Sequence, residues 1–201
     1  MILPKEDKHK GNRVLDDLKY IHQKDAFDAL GAAARRLTGF AAEAAAQWQP
    51  DVRSLRNPAK QLAHELLGRT IVIYAGPKMY PAAEIWKEKC NLHARQLAWC
   101  ARIDSVSELI SWTGQPVEKP FVVVELRSKL EDGQAQDYFA AAERQLSGMR
   151  PAPVVVEVEG HTLDEQLTWV AAYGEFVAIY LGLLNGFDPT PTPLLEKFKG
   201  A

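Results

Sequence analysis

The chain has 201 residues, with 24 Lys or Arg and 26 Asp or Glu side chains and a formal net charge of −2. Hydrophobic residues make up 47% and charged residues 25% of the chain, so collagen, coiled coil and intrinsic disorder are excluded for the chain as a whole. Charges of both signs without a basic stripe argue against a nucleic-acid partner.

The N-terminal quarter of the chain is predicted to be a tail followed by helix. Residues 1–12 carry many charged side chains, so we expect a flexible tail there. Apolar residues then recur at helical spacing, which predicts an N-terminal helical segment over residues 13–50. Gly39 is the expected weak point of this segment, and Pro50 ends it because proline cannot continue a helix.

Residues 51–201 are predicted to form one α/β domain. Its first helix should begin at Asn57 and Pro58, a favoured N-cap and first-turn pair, and stop at Gly68. Runs rich in β-branched or apolar residues then predict four strands, at residues 70–75, 96–101, 121–126 and 153–158. Helical patterns separate or follow them, at residues 81–94, 105–112, 134–146 and 162–184. Strands that are apolar on both faces and alternate with helices indicate a parallel sheet covered on both sides, a three-layer αβα domain.

Two of these helices carry a capping-box pattern at their start. The pattern places Ser or Thr three residues before Glu, so that each side chain can bond a free backbone N–H of the other residue. Ser105 with Glu108 and Thr162 with Glu165 fit it.

Ligands of open parallel sheets bind outside the carboxyl ends of the strands. The loop that follows the first strand contains Gly76 and Lys78 and leads into a helix, whose first amides could hold an anion. A plain tight turn explains the same residues, and on sequence alone we prefer it. No Gly-x-Gly-x-x-Gly or Walker lysine motif occurs, so no nucleotide cofactor is predicted.

Other features restrict the cellular setting. The longest strongly apolar run, residues 176–184, is shorter than the about 20 residues that span a bilayer, so no membrane partner is expected. The charged N-terminus does not read as a signal peptide. Cys90 and Cys100 have a spacing that suits neither a disulfide framework nor a zinc site. We therefore expect a cytoplasmic protein with no metal and no cofactor.

Several short sequence phrases resemble one enzyme family. They are Asn57-Pro58-Ala59-Lys60, Val72-Ile73-Tyr74-Ala75-Gly76, Trp86-Lys87, Asn91, Tyr180-Leu181 and Asp188-Pro189-Thr190-Pro191, with Lys199 eight residues after Pro191. Together they are similar to the C-terminal half of bifunctional phosphoglucose/phosphomannose isomerases, over residues 57–200. The resemblance implies a sugar-isomerase (SIS) domain with a parallel five-stranded sheet flanked by helices, here with extra N-terminal helices.

The resemblance also implies aldose–ketose isomerisation of a hexose 6-phosphate. In this family a histidine and a lysine help to open the sugar ring, and a glutamate moves a proton between C1 and C2 through a cis-enediol. The base must lie within hydrogen-bond reach of the carbon-bound proton. The partner implied is therefore a hexose 6-phosphate or a related sugar phosphate, and SIS domains usually pair, so a homodimer is expected.

Two of the three family groups are replaced in this chain. The family glutamate lies in Asn-Glu-Asn-x-Lys, and the matching segment begins at Asn91 and places Leu92 at the base position. The family histidine position holds Val106, by alignment on Trp112. Only the lysine is retained, as Lys199, for which a solvated lysine on a terminal helix is the alternative interpretation.

Other residues near the lost base are candidates for a site. His93 could substitute as a base because histidine titrates near neutrality, although a packed or solvent-facing helix-end histidine explains it more simply. Asn91 and Arg95, with Gly76 and Lys78, are the candidate ligand-binding residues. A structural ion pair explains Arg95 equally well.

Three hypotheses follow from the sequence. The favoured one is a divergent SIS domain that binds a sugar phosphate with weak or no isomerase activity. The second is an active glucose-6-phosphate/mannose-6-phosphate isomerase that uses a partner chain or substitute residues. The third is a non-catalytic dimerisation or interaction module.

Overall fold

The computed structural model describes residues 31, 33–35, 37–114, 120–189, 194, 197–198 and 200. Within them the chain forms a sheet of four parallel strands in the order β2-β1-β3-β4. The strands are β1 (Thr70–Ala75), β2 (Ala98–Arg102), β3 (Phe121–Arg127) and β4 (Val154–Glu157). The predicted tail, and the part of the predicted helical segment before residue 31, lie outside the described residues.

Six α-helices are described around and before the sheet. They are α1 (Gly39–Ala45), α2 (Pro58–Leu66), α3 (Tyr80–His93), α4 (Val106–Ile110), α5 (Gly133–Gln145) and α6 (Leu163–Leu184). Short 3-10 turns occupy Ala46–Trp48, Ser54–Arg56 and Ser111–Gly114. The α/β class and the alternation of parallel strands with helices are therefore confirmed.

The expectation of five strands is wrong for the described part of the chain, which holds four. The fifth strand was implied by the family resemblance alone, whereas the strand patterns in the sequence number four. After β4 the chain passes directly into the 22-residue helix α6.

The helix ends follow the local sequence in two cases and depart from it in one. Asn57 caps α2 by accepting a 3.0 Å hydrogen bond from the amide of Lys60. At α6, Thr162 Oγ1 accepts from the amide of Glu165 and the Glu165 carboxylate accepts from the amide of Thr162, so this capping box is confirmed. The predicted capping box at Ser105 is wrong: the helix begins there, but the Ser105 side chain makes no capping hydrogen bond.

The two interior strands, β1 and β3, are buried almost throughout. Residues 71–75 of β1 and 122–126 of β3 are all buried. Tyr74 of β1 pairs in register with Glu125 of β3, so the two side chains lie on the same sheet face. An apolar cluster that includes Phe139 and Leu146 covers this face, and the indole N–H of Trp112 donates a 2.8 Å hydrogen bond to the Tyr74 hydroxyl.

The backbone divides into two compact units. The first comprises Met1–Leu67, Lys89–Arg95 and Ala172–Ala201, and the second Gly68–Glu88 and Gln96–Ala171. The second unit contains the whole sheet. The predicted domain boundary after residue 50 stays a prediction.

Helix α6 is long and apolar. Of the described helices it is the one whose length and composition would allow it to cross a membrane, and 67% of its most apolar window is buried inside the protein.

Candidate functional site

The loops that follow β1, β2 and β3 lie at the carboxyl edge of the sheet, where ligands of parallel sheets bind. The strands end at Ala75, Arg102 and Arg127, so the loop with Gly76 and Lys78 shares this edge with the loops after β2 and β3. All of them belong to the second compact unit.

The loop after β1 is occupied by a carboxylate of the chain itself. The amides of Lys78 and Met79, just before α3, donate hydrogen bonds of 2.9 and 3.0 Å to Glu131 Oε1, and the Lys78 amide also lies 3.2 Å from Oε2. Glu131 is only 7% exposed. Amides at the start of a helix can hold an anion, which the sequence left open beside the plain tight turn that it favoured.

Gly76 leaves the room that the carboxylate needs. A Cβ at this position would overlap the carboxyl carbon of Glu131. The glycine is required here for space, since its φ lies outside the left-handed region.

The ammonium group of Lys78 is also hydrogen-bonded to the β3–α5 loop. It donates a hydrogen bond to the carbonyl oxygen of Leu130, the residue before Glu131. Backbone and side chain of Lys78 therefore both hold the β3–α5 loop, and its role toward a ligand stays a prediction.

Arg102 carries an exposed positive charge at the end of β2. Its guanidinium group pairs with Asp104, and this hydrogen bond and charge raise the pKa of Arg102. The negative charge of Glu131 also raises the pKa of Arg102.

Glu131 is a residue of this edge that the sequence did not single out. Its position after a strand gave a weak indication, but no sequence pattern shows that its carboxylate turns back toward the β1–α3 loop. Glu125 and Arg150, an ion pair of 2.6 Å with side chains 0% and 2% exposed, were overlooked for the same reason.

Leu92, which the family resemblance places at the base position, lies in the last turn of α3. Leu92 is half-buried and Asn91 is exposed. Leucine has no atom that can accept a proton. Its correspondence to the family base stays a prediction.

His93 is held by the loop after α6, in the first compact unit. Its Nδ1 lies 2.8 Å from the carbonyl oxygen of Pro189. A carbonyl only accepts, so Nδ1 is the protonated nitrogen and Nε2 is the acceptor of the neutral ring. Nε2 is buried and has no hydrogen-bond partner among the residues described.

Arg95, two residues after the end of α3, has a positive φ of 49°, in the left-handed region. Its guanidinium carbon lies 4.7 Å from the centre of the Phe187 ring, a cation–π contact. This contact supports a packing role, and an anion-binding role stays a prediction.

The remaining predicted positions add little to a site. Val106, which is predicted to stand at the family histidine position, is 49% exposed on the first turn of α4. Lys199 lies outside the described residues. Burial raises the pKa of the Cys90 thiol to about 12, so this cysteine is held as an uncharged core side chain. No cluster of three potential metal ligands occurs within the described ranges.

The sequence model of the family described as the bacterial phospho-glucose isomerase C-terminal SIS domain matches residues 55–201. The chain belongs to this family. This SIS domain is similar to the bifunctional phosphoglucose/phosphomannose isomerase of Aquifex aeolicus (strain VF5), with 20% identity over 151 residues. The match covers 74% of this chain and 47% of that enzyme.

A solved structure shows the same fold. The SIS domain is similar to a glucose-6-phosphate isomerase-like protein from Thermus thermophilus, with a TM-score of 0.66 and 24% identity. That match covers 79% of this chain and 52% of the other. The chain thus spans about half the length of the relatives it matches, and the resemblance inferred from its short phrases is confirmed.

Proposed function

We propose that this SIS domain binds a sugar phosphate, of the hexose 6-phosphate class, and has weak or no aldose–ketose isomerase activity. Membership of the phospho-glucose isomerase family supports the ligand class. The observation that carries the low activity is Leu92, which stands in the last turn of α3 where the family pattern has its glutamate.

The chemistry explains why this replacement matters. Isomerisation removes a proton from carbon, which is far less acidic than a carboxylic acid, so a positioned base contributes about 10²–10⁴-fold to the rate. Val106 at the ring-opening position removes a second group. The rate losses caused by removing two catalytic groups that act together do not simply add. The loss of either group alone already makes turnover slow.

Two measurements on the full chain test this proposal. Thermal-shift titrations with glucose 6-phosphate and mannose 6-phosphate should raise the melting temperature, whereas unphosphorylated glucose should not. A coupled assay with fructose 6-phosphate should show turnover near the background rate. Rapid isomerisation by the pure protein would overturn the low activity, and the absence of any thermal shift would overturn ligand binding.

A second candidate function is an active isomerase in which His93 replaces the lost base. The hydrogen bond from Nδ1 to Pro189 favours it, because it presents Nε2 as the acceptor nitrogen. Nε2 is buried in the described chain, so a substrate would have to enter beside it. This function predicts strong turnover that His93→Gln reduces by about 10²-fold or more.

A cytoplasmic location and a homodimer belong to the same proposal. The family's SIS pairing supports the dimer. Light scattering at micromolar concentration should give twice the chain mass, and a monomer would count against both the dimer and the dimerisation hypothesis.

A further inference from the structure

The β1–α3 loop at the carboxyl edge of the sheet is already filled by a group of the protein. The Glu131 carboxylate accepts hydrogen bonds from the amides of Lys78 and Met79. These amides precede a helix of 14 residues, so its dipole adds to their attraction for negative charge. A phosphate group at this loop would therefore compete with the Glu131 carboxylate for the amides of Lys78 and Met79.

The β3–α5 loop that carries Glu131 is anchored on its other side. The Ser128 hydroxyl donates a 2.5 Å hydrogen bond to the Gln166 amide oxygen, and Gln136 donates a 2.7 Å hydrogen bond to the Ser128 carbonyl. Ser128 Oγ accepts in turn from the amide of Leu130. Ser128 and Gln166 are each 2% exposed. The part of the loop that leads to Glu131 is therefore anchored, which keeps the Glu131 carboxylate beside the β1–α3 loop.

We infer that Glu131 is a specificity-determining residue, which excludes the phosphate group of a ligand from the β1–α3 loop of this domain. The inference rests on the proposed function in one respect: if the domain binds a sugar phosphate, the phosphate group does not occupy this loop. A sugar phosphate then has to hold its phosphate elsewhere, through other groups of this chain or of a second one.

Backbone-amide NMR of the full chain, titrated with inorganic phosphate, tests the inference. In wild type, the Lys78 and Met79 amides should exchange slowly with solvent and should show no saturable shift. In Glu131→Ala, the same two amides should shift saturably, with phosphate affinity at least about tenfold tighter than in wild type.

Two control variants separate the local effect from others. Glu159→Ala removes an exposed negative charge beyond β4 and should behave as wild type. Gly76→Ala places a methyl group where the carboxylate lies, so it should expel Glu131 and speed exchange of both amides, yet create no phosphate response.

Each contrary result overturns the inference. A saturable shift or fast exchange of the two amides in wild type would show that the carboxylate does not fill the loop. This outcome does not depend on whether any variant folds. If Glu131→Ala folds but its Lys78 and Met79 amides show no phosphate-dependent shift, Glu131 does not exclude anions. The same conclusion follows if Glu159→Ala gives the same amide shifts as Glu131→Ala. Because the probe is inorganic phosphate read at two amides, the outcome is independent of whether hexose phosphates bind or turn over.

Discussion

The guanidinium group of Arg150 lies 2.6 Å from the carboxylate of Glu125, inside the protein. Glu125 stands in the middle of β3, beside Tyr74 of β1, and its second oxygen accepts from Arg127. A carboxylate in the interior is tolerated only where its charge is paired and its oxygens are hydrogen-bonded. Arg150 and Arg127 together meet that requirement.

We predict that Arg150→Met lowers the free energy of unfolding by about 2–3 kcal/mol, because it leaves the buried Glu125 with only one cationic partner. The measurement is urea unfolding followed by circular dichroism. Arg102→Met is the matched control, since it breaks an exposed pair with Asp104 and should leave the unfolding midpoint close to that of wild type. Equal losses in the two variants would contradict a special role for the buried pair.

Gly182→Ala should destabilise the first compact unit. A Cβ at Gly182 would run into the carbonyl of His93, where α6 passes the end of α3. We expect a net loss of about 1–2 kcal/mol, because overpacking outweighs the better helix propensity of alanine. Gly133→Ala, with no atom within 4 Å of its added Cβ, should be neutral or stabilising. Thermal melts of both variants check this.

Glu165 should make the stability of α6 depend on pH. Hydrogen bonds from the amides of His161 and Thr162 lower the pKa of its carboxyl group below the ordinary value of 4.5. The ionised carboxylate therefore stabilises the fold above about pH 4.5, and this contribution is lost as the pH falls through the lowered pKa. Glu165→Gln should melt below wild type at neutral pH, and the difference should vanish in acid. Glu159→Gln, an exposed control, should follow wild type throughout.

Restoring the family carboxylate should raise activity. We predict that Leu92→Glu increases the initial rate of fructose 6-phosphate isomerisation about 10²-fold over wild type, because it returns a proton acceptor to the last turn of α3. Asn91→Glu adds the same charge about 100° away around the helix and should not do so. Equal rates in the two variants would show that the missing base does not limit turnover.

Most of the secondary structure was predictable from local patterns. The β-branched runs predicted β1 and β3 closely, and the Asn57-Pro58 and Thr162-Glu165 caps marked the starts of α2 and α6, because caps and strand patterns act over a few neighbouring residues. Ser105 shows the limit of such patterns: the helix start was right, but the side chain did not take the capping bond. The fifth strand had no run of its own in the sequence and came from the family resemblance alone.

Local sequence patterns were enough to predict the parallel α/β class and the edge of the sheet at which a ligand should be sought. Side-chain type and short-range spacing decide those features. The place of Leu92 at the family base position stays a prediction. Two contacts became visible in the folded chain alone: Glu131 bonds the β1–α3 loop, 52 residues along the chain from Met79, and Arg150 pairs with Glu125. Such pairings depend on how distant segments are brought together by the packing of strands and helices, and no local pattern in the chain encodes them.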